Sequence, residues 1–293
     1  MNKIKGVITA LATPFSNGQV DAKSFKKLIH QQMQQGVDGL VINGTTGESP
    51  TLHAHEVKQL FELAKSETGG KVALIVGTGT NSTEYTCELT KDVGRWKPDA
   101  VLVVVPYYNR PPQRGLIHHF TAVADASTVP VIVYNVPSRT VAALEIPTIK
   151  ILSQHANILG IKEATGNMEI LEEMRKVVSR DFVLLSGDDV TCVDFCARGG
   201  HGVISVSSHL LGREMKDYIA KAQRGEKGAV FEYAQKFSEF MKYLYIEASP
   251  IPVKAALHWA GVFDSMELRA PLTSLDSQFH KDFKACLAIL GKI

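Results

Sequence analysis

The chain has 293 residues, 45% of them hydrophobic, enough to bury a large core, and its 32 Lys and Arg against 30 Asp and Glu leave a formal net charge of +2. That balance, with no long block of one sign, argues against nucleic acid or a membrane surface as partner and leaves small polar or anionic molecules as ligands. The cysteines Cys87, Cys192, Cys196 and Cys286 form no C-x-x-C and are too few for a disulfide scaffold, so a reduced, cytoplasmic protein is expected.

The opening run to Pro14 is short and rich in β-branched residues, which suits a first strand, Gly6 to Ala10, better than a targeting segment. Seven further strand-like runs follow: Gly39 to Ile42, Val72 to Val76, Ala100 to Val105, Val129 to Tyr134, Ile158 to Lys162, Phe182 to Leu185 and Gly202 to Val206. Several are nearly continuous Val, Ile and Leu, as strands buried on both faces in a parallel sheet should be. Helical spacing fills the gaps. Asp21 to Gln35 repeats Phe25, Leu28, Ile29 and Met33, and His53 to Glu67 repeats Val57, Leu60, Phe61 and Ala64. The pattern continues in Ser82 to Trp96, Leu116 to Ala126, Ile146 to Gln154, Asn167 to Val178, Thr191 to Ala197 and Leu211 to Gln223. Eight βα units close most economically as an α/β (β/α)₈ TIM barrel over residues 1–224. Lys227 to Tyr245, Ile251 to Trp259 and Ser274 to Leu290, punctuated by Pro250, Pro252 and Pro271, make a C-terminal helical subdomain over residues 225–293. A doubly wound sheet is the competing architecture. It would carry a glycine-rich dinucleotide loop after its first strand, whereas the nearest match, Gly77-Thr-Gly79, follows the third and lacks a third glycine.

In such a barrel the site lies where the strands end. Those ends read Asn43-Gly-Thr-Thr-Gly-Glu48, Gly77-Thr-Gly-Thr-Asn81, Pro106-Tyr-Tyr-Asn-Arg110, Tyr134-Asn-Val-Pro-Ser-Arg139, Lys162-Glu-Ala-Thr-Gly166 and Gly187-Asp-Asp189. One mouth thus collects hydroxyls, amides, a phenol and an amine. Strand alternation puts Ile158, Gly160, Lys162 and Ala164 on one face and Leu159, Ile161 and Glu163 on the other, so Lys162 sits on a small apolar face. An amine in a poorly solvated place loses part of its preference for the charged form and becomes a nucleophile suited to a Schiff base. The plainer reading is a strand-end lysine reaching out to water.

Tyr134 ends the neighbouring strand, and a phenol beside an amine can pass protons; alternatively its ring packs in the core with a locally satisfied hydroxyl. Thr45 and Thr46 can turn hydroxyls and backbone N–H groups toward a carboxylate, or merely stabilise their own turn. Arg139 suits bidentate capture of a carboxylate, although most surface arginines do not serve that way. His53 with His55 and His118 with His119 have the wrong spacing for one ion, and Asp188-Asp189 lacks a companion carboxylate pair, so no metal is expected.

The stretches LATPF (11–15), GTTGES (44–49), PYYNRP (106–111), YNVPSRT (134–140), GIKEATG (160–166), LLSGDD (184–189) and GGHGVISV (199–206) resemble the dihydrodipicolinate synthase family, the 4-hydroxy-tetrahydrodipicolinate synthases, in that family's order and over nearly the whole chain. The resemblance implies condensation of pyruvate with L-aspartate 4-semialdehyde on the diaminopimelate route to lysine. Lys162 is implied as the imine-forming residue and Tyr134 as the general acid/base, with Thr46 and a partner subunit's Tyr108 completing a proton relay. It also implies that Thr45, Thr46, Gly187 and the backbone near Ile204 hold pyruvate, that Arg139 takes the semialdehyde carboxylate, that no external cofactor is used, and that the chain forms a homotetramer of two tight dimers.

Two departures stand out. Relatives inhibited by lysine carry two histidines and a glutamate where this chain has Ala54, Val57 and Tyr85, although Ser49, Asn81 and Tyr107 fit the lysine-site pattern, so feedback inhibition is expected to be weak or absent. Val141 stands where glycine is usual. The alternatives of like chemistry are N-acetylneuraminate lyase and 2-keto-3-deoxygluconate-type aldolases, for which a guanidinium at position 139 suits a polyol substrate poorly. A barrel that binds without catalysis is the alternative of a different class.

Overall fold

The computed structural model describes residues 4–293. Its barrel strands are β1 (Gly6–Ala10), β2 (Gly39–Ile42), β3 (Ala73–Gly77), β4 (Ala100–Val104), β5 (Val131–Asn135), β6 (Ile158–Glu163), β7 (Val183–Ser186) and β8 (Gly202–Ser205). All are parallel to their neighbours and close into a barrel in the order β1-β8-β7-β6-β5-β4-β3-β2, with β2 back against β1. Side chains alternate between two apolar layers. Ile8, Val41, Ile75, Leu102, Ile132 and Leu185 fill the interior, while Val7, Leu40, Leu74, Val101, Val133 and Leu184 face the helices outside.

The outer helices are α1 (Ala22–Gln35), α2 (Ala54–Thr68), α3 (Thr83–Gly94), α4 (Gln113–Ala126), α5 (Ile146–Leu152), α6 (Met168–Val177), α7 (Cys192–Ala197) and α8 (Ser208–Gln223). Three more, α9 (Ala229–Leu244), α10 (Ile251–Trp259) and α11 (His280–Ile289), follow the eighth unit, and their Phe237, Phe240, Phe283 and Leu287 join the outer apolar layer. Local chemistry sets the ends. The Asp21 carboxylate accepts the Lys23 and Ser24 N–H groups at the start of α1, supplying partners that the first turn lacks.

Some boundaries differ from the sequence expectation. β5 starts at Val131 because Pro130 has no N–H to give the ladder, although its carbonyl still accepts from Val101. α8 begins at Ser208 and kinks at Leu211, the residue at which the apolar pattern by itself starts a helix. The last helix begins at His280, after a 3₁₀ turn at Ser277–Phe279 capped by Asp276.

One correction concerns the lysine strand itself. Ile158 belongs to the outer layer and Leu159 packs against the inner one, the reverse of simple alternation. The register between β5 and β6 shifts here: Val131 faces Ile158 but Ile132 faces Gly160, and such an extra residue turns the chain by one side-chain position. Gly160 follows because β7 passes close by; a Cβ there would stand 2.2 Å from the Val183 carbonyl oxygen. Beyond the bulge alternation resumes, so Ile161 faces out and Lys162 faces in.

Candidate active site

Tyr134 on β5 and Lys162 on β6 are direct cross-strand partners. Each is 7% exposed, and the Lys162 Nζ lies 4.0 Å from the centre of the Tyr134 ring. Among the described residues no carboxylate pairs with this amine and no hydrogen bond holds it. A lysine reaching out to solvent is therefore not what the fold builds. Lys254 shows the contrast, since it is 0% exposed but lies 2.7 Å from a Glu48 carboxylate oxygen.

Gly187, just after β7, makes room for the lysine stem. A Cβ there would lie 2.8 Å from Lys162 Cε and 2.6 Å from Ala164 Cβ. Gly187→Ala is therefore expected to displace the amine and lower kcat on the order of 100-fold, because small misplacements at a reacting centre are that costly. Steady-state rates beside a thermal melt check this, and an undiminished kcat would show that the stem has space to spare.

The loop after β2 forms a 3₁₀ turn at Thr45–Gly47. The Thr13 hydroxyl donates to the Gly47 carbonyl at 2.8 Å, and the Glu48 carboxylate accepts from the Lys254 ammonium at 2.7 Å and the Arg269 N–H at 3.0 Å. The turn is thus held from both sides, while the Thr45 and Thr46 hydroxyls, like the Tyr134 hydroxyl, have no protein partner among the described residues. Arg139 sits exposed on a short helix, Pro137–Thr140, with one long hydrogen bond from Nη2 to the Ser249 carbonyl at 3.4 Å. Val141, which follows that helix, takes φ +60°, a left-handed conformation that costs a β-branched residue strain. Ile204 on β8 is buried in the inner layer beside Ile8.

Thr45, Tyr134 and Arg139 line one cavity of about 520 Å³ together with Ser49, Asn81 and Tyr107. Ala54, Val57 and Tyr85 line it as well. Thr46, Lys162, Gly187 and Ile204 are not among its lining residues, and Tyr108, 89% exposed at φ +74°, does not reach it within its own chain either.

The model of the dihydrodipicolinate synthetase family matches residues 3–290. The chain belongs to that family. Within the dihydrodipicolinate synthetase family it is 47% identical over 278 residues to the 4-hydroxy-tetrahydrodipicolinate synthase of Bdellovibrio bacteriovorus, covering 95% of each chain. It is 39% identical over 290 residues to the synthase of Persephonella marina, covering 99% of each. Among solved structures, the dihydrodipicolinate synthase of Aquifex aeolicus matches with TM-score 0.94 at 38% identity over 98% of both chains. The Cyanidioschyzon merolae enzyme, solved with lysine bound, matches with TM-score 0.95 at 36% identity over 100% of both.

Several residues of this family member were not singled out by reading its sequence. Asp189, weighed in the sequence only as half of a metal pair and set aside, is buried and accepts from the Val206 and Ser207 N–H groups at 3.0 and 2.8 Å and from the Tyr245 hydroxyl at 2.6 Å. Burial pushes its carboxyl above the ordinary value and raises the Tyr245 phenol well above its own. Asp189 thereby ties the loop carrying Gly187 to the strand end carrying Ile204. Among the described residues no group of three or more His, Cys, Asp and Glu converges as a metal site would require, and no helix is long and apolar enough to cross a membrane.

Proposed function

We propose that the chain condenses pyruvate with L-aspartate 4-semialdehyde, the 4-hydroxy-tetrahydrodipicolinate synthase reaction, on an imine formed at Lys162. One observation carries the reading: a buried amine with no counter-ion among the described residues, its nitrogen 4.0 Å from the centre of a phenol ring on the adjoining strand. The neutral amine attacks the pyruvate carbonyl carbon, and proton transfers expel that oxygen as water to leave the imine. Loss of a methyl proton gives an enamine, whose carbon bonds to the semialdehyde aldehyde carbon while the aldehyde oxygen takes up a proton. The semialdehyde's own amine then adds to the imine carbon, closes the ring and releases Lys162.

Tyr134 moves these protons, with Thr46 and a neighbouring subunit's Tyr108 relaying them. Thr45 and Thr46, flanked by Gly187 and the backbone near Ile204, hold the pyruvate carboxylate, and Arg139 takes that of the semialdehyde. The covalent imine is itself the electron sink, so the chemistry calls on no external cofactor. A homotetramer assembled from two dimers fits the exposed Tyr85, Tyr107, Tyr108 and Val141, a surface suited to cover by a second copy. A cytoplasmic setting suits four free cysteines.

Borohydride reduction with pyruvate, followed by mass mapping of the adduct, tests the assignment; attachment anywhere but Lys162 sinks it. A coupled assay with the semialdehyde then separates this synthase from a sugar-acid lyase.

Lysine is expected to inhibit weakly or not at all. In the cavity wall formed by Ser49, Asn81 and Tyr107, the neighbouring Ala54, Val57 and Tyr85 offer no carboxylate to a ligand ammonium. The missing charge pair costs on the order of 2 kcal/mol. A lysine titration of the initial rate decides, and half-inhibition at micromolar lysine contradicts the expectation.

A further inference from the structure

Behind Lys162 and Tyr134, on the outer face of the same two strands, lies a second cross-strand pair that the reaction does not use. Asn135 and Glu163 are register partners, one residue beyond Tyr134 and Lys162. The Asn135 Nδ2 donates to Glu163 Oε2 at 2.7 Å, and the Thr165 N–H donates to Oε1 at 2.7 Å. Asn135 Oδ1 in turn accepts the Leu144 N–H at 3.0 Å. Both side chains are buried, so breaking either bond leaves a polar group without water or partner.

The β5–β6 pair needs such a fastening. Its register already shifts at Val131/Ile132, and the residues there, Ile158, Leu159 and Gly160, are apolar or lack a side chain, so they suit more than one alignment. Ile161, packed outward, decides that Lys162 faces the interior. It does not decide which residue of β5 stands beside the lysine; a slip of two positions keeps the face and changes the neighbour from Tyr134 to Ile132. We infer that the Asn135–Glu163 bond is the pin that sets this neighbour, and that both are positioning residues for the imine chemistry. The inference rests on the proposed roles of Lys162 and Tyr134. Burial also raises the Glu163 carboxyl above its ordinary value, the mark of a group kept from water at a cost.

Glu163→Leu, Glu163→Gln and the double variant Asn135→Leu/Glu163→Leu test it, with kcat, pyruvate KM, borohydride trapping rate and thermal midpoint measured on each beside the unmodified protein. Glu163→Leu is expected to lower kcat and trapping rate about 10- to 100-fold with little change in KM. Glu163→Gln keeps one of the two bonds and should fall between. The double variant exchanges the orphaned Asn135 amide for an orphaned Leu144 N–H, so its thermal midpoint should stay near that of Glu163→Leu, and its kcat should stay low. If the kcat losses of the three variants merely track their thermal midpoints, with pyruvate KM rising alongside, the pair is only structural and the inference fails. An adduct at Lys162 in the unmodified protein with unaltered Glu163→Leu kinetics overturns the pin alone; no adduct in the unmodified protein overturns both the pin and the reading beneath it.

Discussion

Lys162→Met is expected to lower kcat by at least about 10⁴-fold and to abolish borohydride trapping of pyruvate, while the folded state holds its stability or gains a little. The activity loss follows because, among the described residues, the other deeply buried lysine, Lys254, is engaged with Glu48. The stability outcome follows from burial. Lys162 is 7% exposed without a carboxylate partner, so its amine pays for desolvation without a paired charge in return, and a thioether of similar volume removes that penalty. Site residues that oppose stability are expected where function requires them. Single-turnover trapping and a denaturant melt on the same preparation check both halves; a variant that still traps pyruvate places the imine elsewhere.

Lys254→Met is expected to do the opposite and cost about 3–5 kcal/mol of stability. Lys254 reaches Glu48 across 206 positions of chain, and its ammonium and the Arg269 guanidinium each lie 4.4 Å from the centre of the Phe15 ring. Removing the lysine strands the Glu48 carboxylate in the interior with the Arg269 N–H as its remaining partner. Converting Glu48 to leucine in the same chain removes the stranded charge and should restore most of the loss. The pair also predicts a pH dependence. Burial pulls the Lys254 ammonium down from 10.5 to about 8, so between those values the unfolded chain holds more protons than the folded one. Stability contributed by this group therefore rises with pH across that window, and Lys254→Met should flatten the slope. Urea midpoints measured across the window test it; an unchanged slope assigns the proton to another group.

The two lysines show how far the sequence carries. Lys162 could be picked out because it interrupts an apolar strand and its partner Tyr134 ends the strand before it, so strand order in a barrel of consecutive βα units makes them neighbours. Lys254 gave no such signal. It lies within Ile251–Trp259, which reads as an ordinary helical stretch, and its partner Glu48 reads as part of a loop. Tyr245 on Asp189 and Arg269 on Glu56 were hidden for the same reason.

The chain alone determined the eight strands, the helices between them and the loops that carry the polar residues, because periods of 2 and 3.6 in the apolar residues are local consequences of backbone geometry. Tertiary structure decided the rest. Which way Ile158 and Leu159 point depends on a register shift against β5, and what holds the Thr45–Thr46 turn depends on Lys254 of a C-terminal helix and Arg269 of the loop that follows it. Contacts between distant segments follow from how the barrel closes and what its helices bury, and no local pattern encodes that.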